Sequence, residues 1–353
     1  MRERQSLHAG RFLPFGLQGD CVNQHCDVLR HFCAGQKGRG CRADPRLLPL
    51  SCDNRLMPGT IGLFLRANDN NYQLQLKDMG VREAKCHGFE ILVESAQNDA
   101  SKQVAQIRAA IRAASSNQLV AVLVSSVRDE ELAPTVRETA EAGLAFALLN
   151  EGHFVDQIHD QYKDRALFVV TPDQLEIGRT QGRQVRALVG DHGKVLCVTG
   201  PMNTEMARRR LQGLREILVD DFSIIELNAD WTSERARMLV EHWLSTITAA
   251  ELPDMFVGHN DEMALGIRQA LRDAASRRNM PLSNALMTGC DGSESFGQRL
   301  VREGRMTATV IMPPTSGAAI QWVAKIRSGQ DHPPVRVVLP VTSFPAMGDL
   351  KVP

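Results

Sequence analysis

From Thr60 onward, short apolar runs alternate with longer stretches in which apolar positions return every three or four residues. The first pattern predicts buried strands and the second amphipathic helices. Thr60–Leu65 reads as a strand and Asn71–Cys86 as a helix. Phe89–Glu94 reads as a strand and Asp99–Ala114 as a helix, with Val104, Ile107 and Ile111 on one face. Leu119–Val124, Glu130–Ala142 and Leu144–Leu149 continue as strand, helix and strand. A second series follows: strand Ala166–Val170, helix Asp173–Val189, strand Lys194–Thr199 and helix Thr204–Val219. Then come strand Phe222–Leu227, helix Thr232–Thr246, strand Met255–Gly258 and helix Asp261–Ala275. Ala285–Gly289 and Thr307–Met312 complete the strands, and Gly317–Arg327 is a late helix. Such alternation argues for an α/β chain of parallel sheets covered on both faces. Two similar series predict two lobes.

A length of 353 residues accommodates two lobes, each with its own core. Lys plus Arg and Asp plus Glu both total 41, so no global field favours nucleic acid or an acidic membrane surface. No run of about eighteen apolar residues occurs, and no membrane span is expected. Met1–Pro58 differs from the rest: it is net basic, rich in Gly and Arg, and holds Cys21, Cys26, Cys33, Cys41 and Cys52. These cysteines form no C-x-x-C pair, and His25 and His31 do not complete a zinc pattern. The segment also lacks the roughly 7–15-residue apolar core of a secretory signal. The expectation is an unstructured or non-native extension.

Candidate chemistry sits at strand ends. In an open parallel sheet the carboxyl ends of the strands border a crevice where side chains reach a ligand. Two segments place polar clusters there: Met255-Phe-Val-Gly-His-Asn-Asp-Glu262 and Met287-Thr-Gly-Cys-Asp-Gly292. Asp291 can accept hydrogen bonds from two hydroxyls, and Asn260 can both donate and accept. Asp261 is expected to cap the helix that follows.

Asn260-Asp-Glu-Met-Ala-Leu-Gly266 and Gly289-Cys-Asp-Gly292 resemble the matching segments of the ribose-binding family of periplasmic sugar-binding proteins. Those proteins are the ligand-binding components of ABC importers, and LacI-type repressors share the fold in their ligand domains. The resemblance covers roughly Thr60 to the C-terminus. It implies a type I periplasmic binding fold: two doubly wound parallel-sheet lobes joined by a three-crossing hinge. The crossings fall near Thr171, Met312 and Ser343. Residues 59–171 plus 313–343 then form the first lobe, and 172–312 plus 344–353 the second, with the last helix returning to the first. Hinge closure requires a ligand that contacts both lobes.

The resemblance also implies a site. Asn70 and Tyr72, in the turn after the first strand, match positions that face the sugar, although Asn70 also suits a helix cap. Trp231 falls where the family places a second-lobe aromatic, so that two rings sandwich a sugar or polyol. Arg210 matches a sugar-binding arginine whose planar fork holds two adjacent oxygens; Arg208 is a weaker candidate. Departures limit the ligand assignment. Asn150-Glu151 stands where many relatives carry Asp-Arg, Arg66 replaces a small hydroxyl residue, Gln73 an aromatic and Met312 a glutamine. A cavity rebuilt in this way is expected to reject ribose, because unmet buried polar groups penalise the wrong ligand. Arg66 and Glu151 together suit a ligand with a charged or amino group, or else form a mutual salt bridge. Cys290 beside Asp291 is expected to be a plain buried cysteine.

The implied partners are a small sugar, polyol or related ligand and an ABC permease, for a monomeric periplasmic chain with no cofactor, no metal and no nucleic acid. Two other classes compete. An enzyme is disfavoured because the chain shows no dinucleotide fingerprint after Thr60–Leu65, no Gly-x-Ser-x-Gly elbow and no His-Glu-x-x-His helix. A LacI-type regulator needs an N-terminal helix-turn-helix, and Met1–Pro58 has no paired amphipathic helices; a ligand-sensing module of a receptor stays compatible with the same fold.

Overall fold

The apolar runs become strands of two six-stranded sheets. The computed structural model describes residues 59–351 except 220, 279–281 and 283, so the expectation for Met1–Pro58 lies outside the described residues. The first sheet holds β1 (Thr60–Leu65), β2 (Glu90–Ser95), β3 (Leu119–Val124), β4 (Ala145–Leu148), β5 (Leu167–Pro172) and β11 (Arg336–Leu339). Its order is β2-β1-β3-β4-β5-β11, parallel throughout. The second holds β6 (Gly193–Thr199), β7 (Phe222–Asn228), β8 (Met255–Gly258), β9 (Leu286–Asp291), β10 (Ala308–Ile311) and β12 (Thr342–Phe344). Its order is β7-β6-β8-β9-β10-β12, with β12 antiparallel to β10. Both sheets thus reverse direction of winding beside their first strand, which places a crevice at the carboxyl ends.

Helices cover both faces of each sheet. On the first, α1 (Asn71–Cys86) and α11 (Thr315–Arg327) bury Leu76, Ala84, Ile320 and Val323 against β1 and β3. On its other face, α2 (Ala100–Arg112), α4 (Ala133–Glu141) and α5 (Phe154–His159) bury Ile107, Val136 and Ile158 against Phe64 and Phe146. A short α3 (Ala114–Asn117) leads into β3. On the second sheet, α6 (Gln174–Val189) and α7 (Glu205–Ile217) cover one face, while α8 (Ser233–Ser245), α9 (Asp261–Arg278) and α10 (Gly297–Arg302) cover the other. Helix starts are secured by side chains: Asp99, Asp173, Thr204 and Thr232 each accept a bond from a first-turn N–H. Each such cap contributes about 1 kcal/mol.

The chain passes between the sheets three times. β5 ends the first sheet's part and α6 packs on the second; β10 ends in the second and α11 packs on the first. The last passage lies between β11 and β12, at Pro340-Val341, rather than near Ser343. Thr342 and Ser343, placed by sequence in the first lobe, pair with Ile311 and Val310 of the second. Five α-helices and strands escape the sequence pattern: β11, β12, α3, α5 and α10. Each has six residues or fewer, too short to display a period.

Helices α6 and α7 meet through glycine. A Cβ on Gly178 would lie 1.9 Å from the Arg210 carbonyl oxygen, and one on Gly213 would lie 2.0 Å from that of Leu175. Backbone cannot yield there as a flexible side chain can. Gly178→Ala is therefore expected to force the helices apart and destabilise the fold by about 1–3 kcal/mol, read as a lower denaturant midpoint; an unchanged midpoint would refute this close contact.

Candidate functional site

The carboxyl ends of the two sheets face each other, and between them lies a cavity with about 640 Å³ of empty volume, counting its mouth. The first lobe contributes Arg66, Asn70, Tyr72, Gln73, Ser125, Ser126, Leu149 and Asn150; the second contributes Met206, Arg210, Trp231, Asn260 and Asp291. Pro172, Gln174 and Met312 line it from the crossings. Of the sequence-derived candidates, the structure brings together Arg66, Asn70, Tyr72, Asn150, Arg210, Trp231, Asn260, Asp291 and Met312.

Glu151 is the exception. It is buried and its carboxylate turns to Arg209 (3.3 Å) and Arg336 (3.5 Å) instead of into the cavity. Arg66 is likewise not its partner: Nε and Nη2 of Arg66 donate to Asn98 Oδ1 at 3.3 and 3.2 Å. Of the two alternatives for this pair, the mutual salt bridge is not formed, and each residue has partners of its own. Burial raises the Glu151 carboxyl above its ordinary range, with Arg209 opposing that shift. The Glu151–Arg209 pair spans the two lobes, as does the 2.6 Å contact of His153 Nε2 with Glu205. Glu151, His153 and Glu205 offer ligand atoms within 4.8 Å of one another. The two arginines already on Glu151 make this an ion-pair network across the rim.

Several cavity groups are held by their own caps and turns. Asn70 Oδ1 accepts from Gln73 N at 3.0 Å, so the capping expectation and the cavity position hold together. Asn150 ties the ends of β3 and β4: its Oδ1 accepts from Ser126 N (3.0 Å) and its Nδ2 donates to Ser126 Oγ (2.8 Å). Asn260 Oδ1 accepts from Met263 N at 2.8 Å, and its Nδ2 donates to the Trp231 carbonyl at 3.1 Å. Asn260 therefore caps α9, the role assigned by sequence to Asp261. Asp261 is instead buried beneath the site, where it accepts from Thr309 Oγ1 (2.6 Å) and Gly292 N (2.8 Å). Burial and the neighbouring Asp291 push its carboxyl well up.

Arg210, 4 % exposed, is the structural centre of the second lobe's wall. Nε donates to Gln174 Oε1 at 2.7 Å, Nη1 to the His259 carbonyl, and Nη2 to Met312 Sδ at 3.6 Å. Its guanidinium carbon lies 5.4 Å from the Trp231 ring centroid. Arg208 bonds the Met202 carbonyl and stays outside the cavity. Asp291 faces the cavity with its acceptors free: none of the described residues donates a hydrogen bond to its carboxylate. Burial raises it from 3.8 to about 7, against the opposing charge of Arg210 and with a further upward push from Glu262. Gln73 Oε1 is a second buried acceptor with no partner among the described residues.

Backbone strain gathers in this wall. Trp231 has φ 75° and Asp291 φ 99°, conformations that cost non-glycine residues of order 1–3 kcal/mol each. The Trp231 ring presses on Gly200, where a Cβ would lie 2.2 Å from it. Beside the ring is fully buried His259, whose Nδ1 accepts from Gly200 N at 3.3 Å, assigning its proton to Nε2. Burial holds its pKa down at about 3, so the imidazole is neutral. Cys290 is buried behind the wall with its thiol pushed up to about 12 by burial, a packing residue as expected. Sequence reasoning left out Ser125, Ser126, Gln174 and Met206 as site residues. The strand-end rule locates the two serines directly after β3; Gln174 and Met206 open helices whose placement requires the fold.

Residues 61–331 match the family described as periplasmic binding protein domain. The ribose import binding protein of Haemophilus influenzae is 27% identical over 259 residues, covering 72% of this chain and 80% of that protein. Among solved structures, an ABC transporter periplasmic solute binding protein from Actinobacillus succinogenes with bound D-allose superposes with a TM-score of 0.70 at 18% identity. The match covers 81% of this chain and 96% of that one. The Caulobacter myo-inositol binding protein, bound to myo-inositol, gives 0.67 at 22% identity, covering 82% and 94%. At these identities the two structures speak for the fold alone.

Proposed function

Because the chain belongs to the periplasmic binding protein domain family, we propose that it captures a sugar or sugar-like polar molecule between its lobes and releases it unaltered to an ABC import permease. The observation that carries this reading is the cavity between the sheet ends, lined from both lobes and holding acceptors that the protein itself leaves unused. Hydroxyls of a ligand donate to the Asp291 carboxylate and Gln73 Oε1. Arg210 and Asn260 donate in return, and Tyr72 and Trp231 pack against the apolar faces of the ring. Charged hydrogen bonds of this kind contribute roughly 1.5–3 kcal/mol each, and ring packing adds on the order of 0.5–1.5 kcal/mol per aromatic.

Capture works by closure. The Glu151–Arg209, His153–Glu205 and Asn71–Glu262 contacts form only when the lobes meet, and a ligand touching both walls adds to them. The proposal includes a monomer, a periplasmic location, and a loaded form that docks on the permease. Among the described residues no helix is long and apolar enough to cross a membrane.

Thermal melting of the full chain against sugars, polyols and related solutes tests the reading. A true ligand at about 100 times its dissociation constant stabilises by about 2.7 kcal/mol, and X-ray scattering should show the particle contract. Melting that ignores every solute, or appearance of a chemically altered product, would reject it.

A further inference from the structure

The ionisable side chains of the cavity do not balance. Arg66 and Arg210 are cationic, and Asp291 supplies the single carboxylate. Glu151, the second acid that the strand ends offer, is engaged by Arg209 and Arg336 outside the cavity. Arg210 and Asp291 interact directly through their charges. Arg66 is left over. It rests on the neutral amide oxygen of Asn98, and forms no ion pair with any described residue.

Asp69 offsets that charge only in part. Asp69 is the carboxylate whose charge acts on Arg66, and it is exposed to solvent. Its oxygens are taken up by Asn98 Nδ2 at 2.9 Å and Asn70 Nδ2 at 3.2 Å. Glu262 is bonded to Asn71, and Asp261 is locked behind the wall by Thr309 and Gly292. Burial outweighs Asp69 and lowers the Arg66 pKa, the sign of a cation short of compensation. A guanidinium in that state matches a planar anionic group that can take two of its N–H donors at once.

We infer that the preferred ligand is a hydroxylated carboxylate, a sugar acid, whose carboxylate meets Arg66 at the first-lobe end while its hydroxyls reach Arg210, Asn260 and Asp291. This rests on the sugar-binding reading of the same cleft and narrows its chemistry. It also excludes amino sugars, whose ammonium would face two guanidiniums.

Calorimetric titration of the full chain with D-galacturonate, D-glucuronate and D-gluconate, each paired with its neutral parent D-galactose or D-glucose, tests it, with D-glucosamine and myo-inositol alongside. At least one acid should bind about 10- to 100-fold tighter than its parent, and raised salt should weaken the acid more than the parent. Arg66→Gln should remove that preference, whereas Arg66→Lys, which keeps the charge without the fork, should retain part of it. A neutral parent, or myo-inositol, that binds as tightly as any acid overturns the inference and leaves the sugar-binding reading standing. So does a preference for D-glucosamine, or an Arg66→Gln protein whose acid affinity is intact. Silence of every compound, with neither heat nor thermal stabilisation, counts against both.

Discussion

Replacing Asp291 with asparagine is expected to make the empty protein more stable at alkaline pH while weakening its hold on the ligand. The carboxyl is raised by burial to about 7 in the folded chain, against an ordinary 3.8. Below pH 4 both folded and unfolded states carry the proton and the burial of this group costs nothing. As pH rises from about 4 to 7, the unfolded chain gives up its proton and the native chain does not, so stability falls by about 1.4 kcal/mol per unit. Beyond about 7 the loss is complete and the profile is flat. His259 pulls the other way: its pKa, held at about 3, makes the native state lose stability as pH falls below about 6.5. Wild-type melting alone therefore mixes these two with the raised carboxyls of Asp261 and Glu151. The difference between wild type and Asp291→Asn reports the Asp291 carboxylate together with its coupling to Asp261, and should grow from near zero at pH 4 to a few kcal/mol at pH 8 in favour of the variant.

Ligand binding should show the mirror image. Hydroxyls donating to the charged carboxylate lower its bound-state pKa, so capture below about pH 7 must expel a proton. Affinity then rises close to tenfold per unit towards pH 7 and levels above it. Asp291→Asn should bind more weakly at pH 8 and show no such slope. A wild-type affinity flat from pH 5 to pH 8 would remove Asp291 from the set of groups that meet the ligand.

Arg210→Ala should have the larger effect on the fold itself. The guanidinium joins α7 to Gln174 at the first crossing, to the His259 carbonyl before α9, and to Met312 at the second crossing. Its removal leaves two buried oxygens without donors and Asp291 without its cation. The expected cost is about 3–5 kcal/mol, a melting temperature lower by roughly 10 °C, and no measurable ligand binding. Arg210→Lys should recover little, since a lysine cannot reach three acceptors in one plane. Urea unfolding of both variants checks this; a loss of under about 1 kcal/mol would show that the wall stands without the arginine.

The strand ends were readable because burial on both faces produces apolar runs that stop abruptly, and the residue after each stop is committed to the crevice. Asn260 and Asp291 follow from that rule, whereas Asn70, Tyr72, Arg210 and Trp231 came from the resemblance to the ribose-binding family. Glu151 obeys the same rule and yet leaves the cavity. The cause lies in Arg209 and Arg336, which are 58 and 185 residues away in sequence. Between Asn260 and Asp261, neighbours of nearly equal capping ability, the choice is made by space. Cβ atoms on Gly289 and Gly297 would collide with the Asp261 carboxylate at 2.2 and 1.9 Å, so only glycines admit it behind the wall. β11 and β12 are hidden for another reason: four and three residues on either side of Pro340-Val341 are too few to declare a period.

The triple passage of the backbone also governs what a cut or a split gene would do. A fragment that stopped after Pro172 would lack β11 at one margin of its sheet and the α11 residues Ile320 and Val323 that seal Leu76 and Ala84. The complementary fragment would carry those orphaned apolar side chains with nothing to lay them on. Neither half is a heritable unit by itself, so recombination between relatives must exchange the tail along with the head or yield two sticky, unfinished pieces.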